Sequence, residues 1–171
     1  MDKIRIGVVG IGHLGTYHLQ KFHGLEACTL VAVADCDGAR AEKAAADYGC
    51  AAFRDYRELI PRVDAVSIAV PTAVHPAVAG AFLDAGIDVF LEKPLAPTLA
   101  EARALVTLAE ARGRIFQAGF IERFNPAVVA LGKYRIEPKF IEASRISPFT
   151  FRSADVGVVL DMMIHDLDLV G

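Results

Sequence analysis

The chain has 171 residues, of which 54% are hydrophobic and 23% charged, and its formal net charge at pH 7 is −3. This length suffices for one well-filled core. The charge balance shows neither the basic excess typical of nucleic-acid binding nor a disordered acidic tract. Cys28, Cys36 and Cys50 form no C-x-x-C pair, and the histidines at positions 13, 18 and 23 lack the i, i+4 spacing of a helical metal site. We therefore expect a cytoplasmic globular protein with reduced thiols, and no metal, nucleic-acid partner or membrane segment.

Strand-like and helix-like segments alternate from the N-terminus to about residue 120. The predicted strands lie at 4–9, 29–34, 51–53, 65–70, 88–91 and 115–118, and helices are predicted after the first strand and at about 39–48, 56–60, 75–85 and 98–112. This alternation predicts an α/β fold, a Rossmann-type doubly wound parallel sheet with right-handed crossovers. Beyond residue 120 the pattern changes to a predicted strand at 140–146, a polar loop and a helix at 157–170. These elements predict the start of a second, α+β domain.

The first strand runs directly into a glycine-rich turn, residues 10–15, which reads G-I-G-H-L-G. In a G-x-G-x-x-G turn of this kind, the first glycine permits a tight bend and the second lets a pyrophosphate approach the backbone. The third allows the following helix to pack closely on the sheet. The positive end of that helix favours anions. The predicted contacts to a dinucleotide are Gly10, Gly12, His13, Leu14 and Gly15.

Asp35 ends the second predicted strand and follows Gly15 by 20 residues. This is the spacing of the carboxylate that binds the adenosine ribose hydroxyls in dinucleotide-binding folds. A 2′-phosphate would meet like charge there, with Asp37 close behind, so the sequence favours NAD over NADP. Two alternatives stay open: Asp35 could only cap the next helix, and Arg40 could weaken the discrimination.

The loops that follow the fourth and fifth strands lie at the sheet edge where ligands of such folds bind. Pro71, Thr72 and His75 could line the nicotinamide side of the cofactor, although Thr72 could equally be a helix cap. Glu92-Lys93-Pro94 ends the fifth strand, and proline stiffens the turn that carries the lysine. Position favours a functional Lys93 over an ordinary surface charge.

The last predicted helix is apolar nearly all round, which predicts that it is buried. Asp161, His165 and Asp168 interrupt it at i, i+4 and i+7 and therefore share one face. Buried charges need partners, and a histidine oriented by a carboxylate suits proton transfer near neutral pH. The alternative is that this stripe faces solvent at a domain edge.

Three of these motifs together resemble the Gfo/Idh/MocA oxidoreductase family: the glycine turn with His18 after it, Glu92-Lys93-Pro94, and Asp161-x-x-x-His165. The resemblance covers essentially the whole chain. It implies an NAD-binding Rossmann domain at 1–120, with Glu92 among its cofactor contacts, and the beginning of a substrate and oligomerisation domain at 121–171. It also implies that Lys93, Asp161 and His165 are catalytic. Met163 stands where members usually carry glycine, so the helix is expected to pack somewhat differently.

Three further runs resemble one group within that family, the bacterial UDP-N-acetylglucosamine 3-dehydrogenases. They begin at Glu122, Phe140 and Val159. The resemblance implies a sugar-nucleotide substrate, a role in lipid A synthesis and a homo-oligomer at full length. It places substrate contacts at Arg123, Asn125 and Arg152. The two arginines could bind a diphosphate through charge-assisted hydrogen bonds, or could only form surface ion pairs.

These observations predict an NAD-dependent oxidation of a sugar or sugar-nucleotide hydroxyl. His165 would accept the hydroxyl proton, Lys93 would stabilise the alkoxide, and Asp161 would position the substrate or the imidazole. Two other classes stay open. One is a non-catalytic NAD-binding module or sensor, and the other is a nucleotide fold of different chemistry, such as a methyltransferase.

Overall fold

The computed structural model describes residues 3–135, 137–146 and 156–171. Its centre is a six-stranded parallel sheet with the strand order β3-β2-β1-β4-β5-β6. The strands are β1 (Ile4–Val9), β2 (Cys28–Ala34), β3 (Ala51–Phe53), β4 (Ala65–Ile68), β5 (Asp88–Glu92) and β6 (Phe116–Gly119). The predicted doubly wound Rossmann sheet is therefore confirmed.

The helices fill the connections between successive strands and continue beyond the sheet. The α-helices are α1 (His13–His23), α2 (Gly38–Tyr48), α3 (His75–Asp84), α4 (Leu99–Arg112), α5 (Pro126–Leu131) and α6 (Ile164–Val170). Short 3₁₀ helices cover Tyr56–Arg62, Thr72–Val74 and Ile121–Phe124, and a π-helical turn, Val159–Met163, leads directly into α6. The predicted helix and strand bounds in the sheet agree with the structure to within about two residues. One segment differs in helix type: the helix predicted after β3 is a 3₁₀ helix, and it contains Pro61.

Apolar cores cover both faces of the sheet, which explains why its central strands are almost continuously apolar. Successive residues of β1 serve opposite faces: Val8 packs in a cluster with Leu19 of α1, and Val9 packs in a cluster with Phe82 of α3. Phe82 has no solvent-exposed surface. Burying a side chain of this size contributes about 1.5–3 kcal/mol to folding.

The strand order places β1 at the point where the winding of the sheet reverses. Its two neighbours are β2 on one side and β4 on the other. The loops after β1 and β4 consequently diverge to opposite faces and leave a crevice at the carboxyl edge. The glycine turn opens onto this crevice, so the topology places the predicted cofactor turn where ligands of such sheets bind.

Two predictions for the C-terminal part are wrong. Residues 140–146 form no strand, and Phe140 and Ile146 are 81% and 93% exposed. A strand needs a neighbour to pair with, and no described residue pairs with this segment. The last helix begins with a π-helical turn and is not buried as predicted, since several of its apolar side chains, including Val158 and Leu167, are at least half exposed.

Candidate active site

The glycine turn has the shape that a pyrophosphate requires. Gly10 has φ +86°, a conformation that favours glycine. A Cβ on Gly15 would overlap the carbonyl oxygen of Gly10, whereas a Cβ on Gly12 would have no protein atom within 4 Å. Helix α1 starts at His13 without a side-chain cap, so its first N–H groups are available to an anion. His13 and Leu14 lie exposed in that first turn. These residues fit a bound dinucleotide.

Asp35 is buried at the carboxyl end of β2 and directly supports the glycine turn. Its Oδ2 accepts a hydrogen bond of 2.7 Å from the Ile11 N–H, and its Oδ1 accepts one of 2.9 Å from the Asp37 N–H. Arg40 also contacts the carboxylate, at 3.2 Å, and forms a second ion pair with Asp37. The residue that caps α2 is Asp37, so the alternative of Asp35 as that cap is wrong. The two carboxylates neutralise Arg40, which leaves it less able to attract a 2′-phosphate.

In the loop after β4, Thr72 and His75 are buried within the protein. Thr72 is buried and starts a short 3₁₀ helix after Pro71, and its side chain caps neither that helix nor α3. His75 is 1% exposed, and its Nδ1 and Nε2 lie 2.8 and 2.9 Å from the carbonyl oxygens of Pro94 and Val70. Both ring nitrogens face protein carbonyl groups, so the ring ties the β4 loop to the turn that carries Lys93. The predicted contact of His75 with the cofactor stays a prediction.

We expect substitution of His75 by leucine to destabilise the fold. Each tautomer of the imidazole donates to one of the carbonyl groups of Val70 and Pro94. Leucine has no N–H, so that carbonyl would lose its donor, and the free energy of unfolding in urea should fall by about 1–3 kcal/mol. His75→Gln keeps donor groups and should lose less. Equal stability of His75→Leu and wild type would show that the ring does not tie the two loops.

Lys93 meets the C-terminal helix at the edge of the sheet. Its Nζ donates hydrogen bonds of 2.7 Å to the main-chain oxygen of Asp161 and 2.8 Å to Asp161 Oδ1. The lysine side chain is 14% exposed and the aspartate side chain 32%. Asp161 lies in the π-helical turn, and such turns are frequent at functional sites. The structure thus joins two motifs that are 68 residues apart in the chain.

His165 lies one helical turn after Asp161, with its ring packed edge-on against Phe120 at 6.4 Å between centroids. Its Nδ1 is buried and has no hydrogen-bond partner among the described residues. Burial, together with the positive charges of Lys93 and Arg145, lowers the pKa of His165 below its ordinary value. A neutral imidazole beside a lysine is suited to accepting a proton.

Charged pairs attach the rest of this helix to the segment after β6. Arg123 donates two hydrogen bonds of 2.7 Å to Asp168. The stripe of Asp161, His165 and Asp168 therefore faces the sheet domain, and the alternative of a solvent-facing stripe is wrong. Arg123 thus forms the ion pair that the sequence left as an alternative, and its predicted contact with the substrate stays a prediction. The Asp168 carboxyl has a pKa below its ordinary value because of this pair.

Asn125 has a structural role in this region. Its side chain caps α5 by accepting a hydrogen bond of 3.0 Å from the Ala127 N–H, and it donates one of 3.1 Å to Glu122. Its predicted substrate contact stays untested. Arg152, the other predicted diphosphate contact, lies outside the described residues.

Sequence reasoning missed Arg145. Its guanidinium contacts Asp166 at 2.8 Å and Glu122 at 3.4 Å and lies close enough to His165 to affect its pKa. These three residues come from separate stretches of chain, and none belongs to a motif that predicts the contact. The sequence offers no signal by which the cluster could have been found.

The fold and the glycine turn define a dinucleotide-binding protein of the Rossmann class. Residues 4–120 match the family model of the Gfo/Idh/MocA proteins, an oxidoreductase family with an NAD-binding Rossmann fold. The match covers more than half of the chain, so the chain belongs to this family and NAD is its cofactor. The methyltransferase alternative is thereby excluded.

Relatives within the family are sugar and polyol dehydrogenases by name. The chain is 41% identical over 170 residues to a UDP-N-acetylglucosamine 3-dehydrogenase of Acidithiobacillus ferrooxidans, covering 99% of this chain and 54% of that protein. A solved structure of that enzyme matches with a TM-score of 0.90, over 99% of this chain and 56% of the other. An inositol 2-dehydrogenase of Rhizobium meliloti is 31% identical over 176 residues, with 97% and 53% coverage. The chain spans about half the length of these relatives.

Among residues 3–135, 137–146 and 156–171, no three His, Cys, Asp or Glu side chains are grouped as a metal site. In the same part of the chain, no helix has the length and apolar character needed to cross a bilayer.

Proposed function

We propose that the full-length protein oxidises a secondary hydroxyl of a sugar or sugar nucleotide, with NAD as the hydride acceptor. The carbinol C–H leaves as hydride, the O–H proton goes to a protein base, and the carbon becomes a ketone. The observation that carries this proposal is the contact of Lys93 with Asp161, one turn before His165, at the carboxyl edge of the sheet. NAD supplies the hydride chemistry, and the side chains supply the proton transfer and the charge stabilisation.

His165 is the proposed base. Its lowered pKa keeps the imidazole neutral, and so able to accept a proton, under mildly acidic conditions. The Lys93 ammonium group stabilises the alkoxide that forms as the proton leaves. Asp161 holds that ammonium group in place through two hydrogen bonds. The contact of Lys93 with Asp161, one turn before His165, supports an enzyme over a non-catalytic NAD-binding module.

The proposed substrate is UDP-N-acetylglucosamine, oxidised at C3. The 41% identity to a UDP-N-acetylglucosamine 3-dehydrogenase over nearly the whole chain supports this choice over an inositol. The proposal extends to the predicted place in lipid A synthesis, to a cytoplasmic location and to a homo-oligomer. Residues 121–171 would begin the substrate domain. The test is NADH formation from UDP-N-acetylglucosamine, with the 3-deoxy analogue as control. Equal NADH formation from both compounds would contradict oxidation at C3.

The pH dependence of the reaction tests His165. Because the pKa of this base is lowered, the acid limb of kcat/KM should lie below the ordinary histidine pKa of 6.5, and activity should persist as the pH falls through that value. Arg145→Gln removes a positive charge and releases Asp166 and Glu122, which both raise the pKa of His165. We expect that variant to move the acid limb to higher pH, by up to about one pH unit. An unchanged limb would exclude His165 as the titrating base.

A further inference from the structure

The register of the sheet places Ser67, Phe90 and Glu92 on one face. Ser67 of β4 is paired with Phe90 of β5, and Glu92 lies two residues further along β5. Residues paired in register, and residues two apart in a strand, project to the same side. Ser67 is also paired with Val8, which packs in the core cluster that contains Leu19 of α1. These side chains therefore face the helix that starts at the glycine turn.

His18 of α1 connects these residues. Its Nδ1 lies 2.7 Å from Ser67 Oγ, and its Nε2 lies 2.9 Å from Glu92 Oε1. Its ring also packs edge-on against Phe90 at 5.4 Å between centroids. Ser67 is fully buried, and the side chains of His18 and Glu92 are 14% and 13% exposed. Two hydrogen bonds and a ring contact thus hold the imidazole of α1 against strands β4 and β5.

One tautomer of His18 satisfies the whole chain of groups. With the proton on Nε2, the ring donates to the Glu92 carboxylate, which only accepts, and Nδ1 accepts the hydroxyl proton of Ser67. The other neutral tautomer would place an unprotonated Nε2 against the carboxylate. The carboxylate, which can only accept, therefore favours the proton on Nε2, and the hydroxyl of Ser67 donates to the remaining Nδ1.

The neighbouring strand leaves room for this carboxylate. Gly119 of β6 is paired with Glu92, and a Cβ at position 119 would lie 3.1 Å from two atoms of the Glu92 carboxyl group. A side chain there would push the carboxylate away from its present position. The glycine at position 119 therefore supports, independently of the hydrogen bonds, the observed position of the Glu92 carboxylate.

We propose that Ser67 and His18 form a relay that positions Glu92, the residue directly before Lys93, and so couples the cofactor helix α1 to the catalytic turn. Only the expected effect on kcat rests on the proposed function; the hydrogen-bonded relay does not. His18 and Ser67 are positioning residues, since they act through Glu92. The predicted contact of Glu92 with the cofactor stays a prediction, and His18 fixes the orientation of the carboxylate.

The relay itself is tested without any activity. In protein labelled with ¹⁵N-histidine, the imidazole resonances of His18 should show the proton on Nε2 and a bare Nδ1. Ser67→Ala should perturb Nδ1, and Glu92→Gln should perturb Nε2. A His18 ring protonated on Nδ1, or unaffected by either substitution, would overturn the relay. This result does not depend on whether a sugar is oxidised.

The positioning role is tested by kinetics of the full-length protein. His18→Phe keeps a ring against Phe90 but removes both hydrogen bonds, and we expect kcat to fall about 10- to 100-fold with the Kd for NAD within threefold. His18→Gln, which can donate to Glu92, should recover most of the loss. Gly119→Ala, which leaves His18 intact, should lower kcat in the same way. A parallel loss of NAD binding and kcat without rescue by glutamine, or an unchanged kcat, would overturn the positioning role.

Discussion

Substitution of Gly15 by alanine should abolish NAD binding and lower stability. The added Cβ would overlap the Gly10 carbonyl oxygen, which is backbone and has no rotamer by which to move away. Helix α1 would have to shift from the sheet edge, and its N–H groups would leave the position that a pyrophosphate requires. We expect at least a 100-fold weaker Kd in an NADH fluorescence titration, together with a lower midpoint of urea unfolding.

Two other glycines serve as matched controls for this result. Gly12→Ala adds a methyl group to space that is open in the protein, so stability should be unchanged while NAD affinity falls about tenfold or more, because the methyl occupies the cradle. Gly80→Ala, inside α3 and 3.9 Å from Leu105, should leave NAD affinity unchanged and stabilise the helix by about 0.5–1 kcal/mol. Wild-type NAD affinity in Gly12→Ala would show that the cofactor does not cross this turn.

Lys93→Met should nearly abolish turnover and leave NAD binding within about threefold of wild type. Methionine fills the same space but carries no charge to stabilise the alkoxide, and loss of one such group costs about 10²–10³-fold in kcat. In addition, Asp161 would lose the ammonium group that it contacts. Lys93→Arg should recover only part of the rate, because a planar guanidinium does not reproduce the point charge of the ammonium.

The control for this variant is Lys43→Met, which removes an equivalent charge from an exposed position on α2. Its kcat and NAD affinity should match those of wild type. Normal kcat in Lys93→Met would remove the lysine from the mechanism. Weak NAD binding in Lys93→Met would instead show that the lysine contributes mainly to the cofactor site.

The sequence predicts the sheet and the glycine turn well because both depend on local patterns. Apolar runs such as residues 65–68 mark strands that are covered on both faces, and the G-x-G-x-x-G spacing is a requirement of the turn itself. Asp35 was placed correctly at the end of β2 by its distance from Gly15. Its contact with the Ile11 N–H was not foreseen.

The sequence is less informative where a residue depends on distant partners. His75 lies beside the predicted cofactor edge, and its sequence neighbours do not reveal that its ring nitrogens face the carbonyl groups of Val70 and Pro94. The motifs contain His18 and Glu92 but do not reveal that they meet; Ser67, a lone polar residue in an apolar strand, is a further signal for the relay. The segment 140–146 carries an apolar pattern but no pairing partner among the described residues, so its pattern alone does not form a strand.

The most direct test of hydride transfer follows a label from substrate to cofactor. UDP-N-acetylglucosamine carrying deuterium at C3 is incubated with NAD and the full-length protein, and the NADH formed is analysed by mass spectrometry, with deuterated myo-inositol as the comparison. We expect deuterium in the NADH from the sugar nucleotide, and transfer that is at least about 100-fold slower when Lys93→Met replaces wild type. NAD binding without deuterium transfer from either compound would contradict the proposed sugar oxidation.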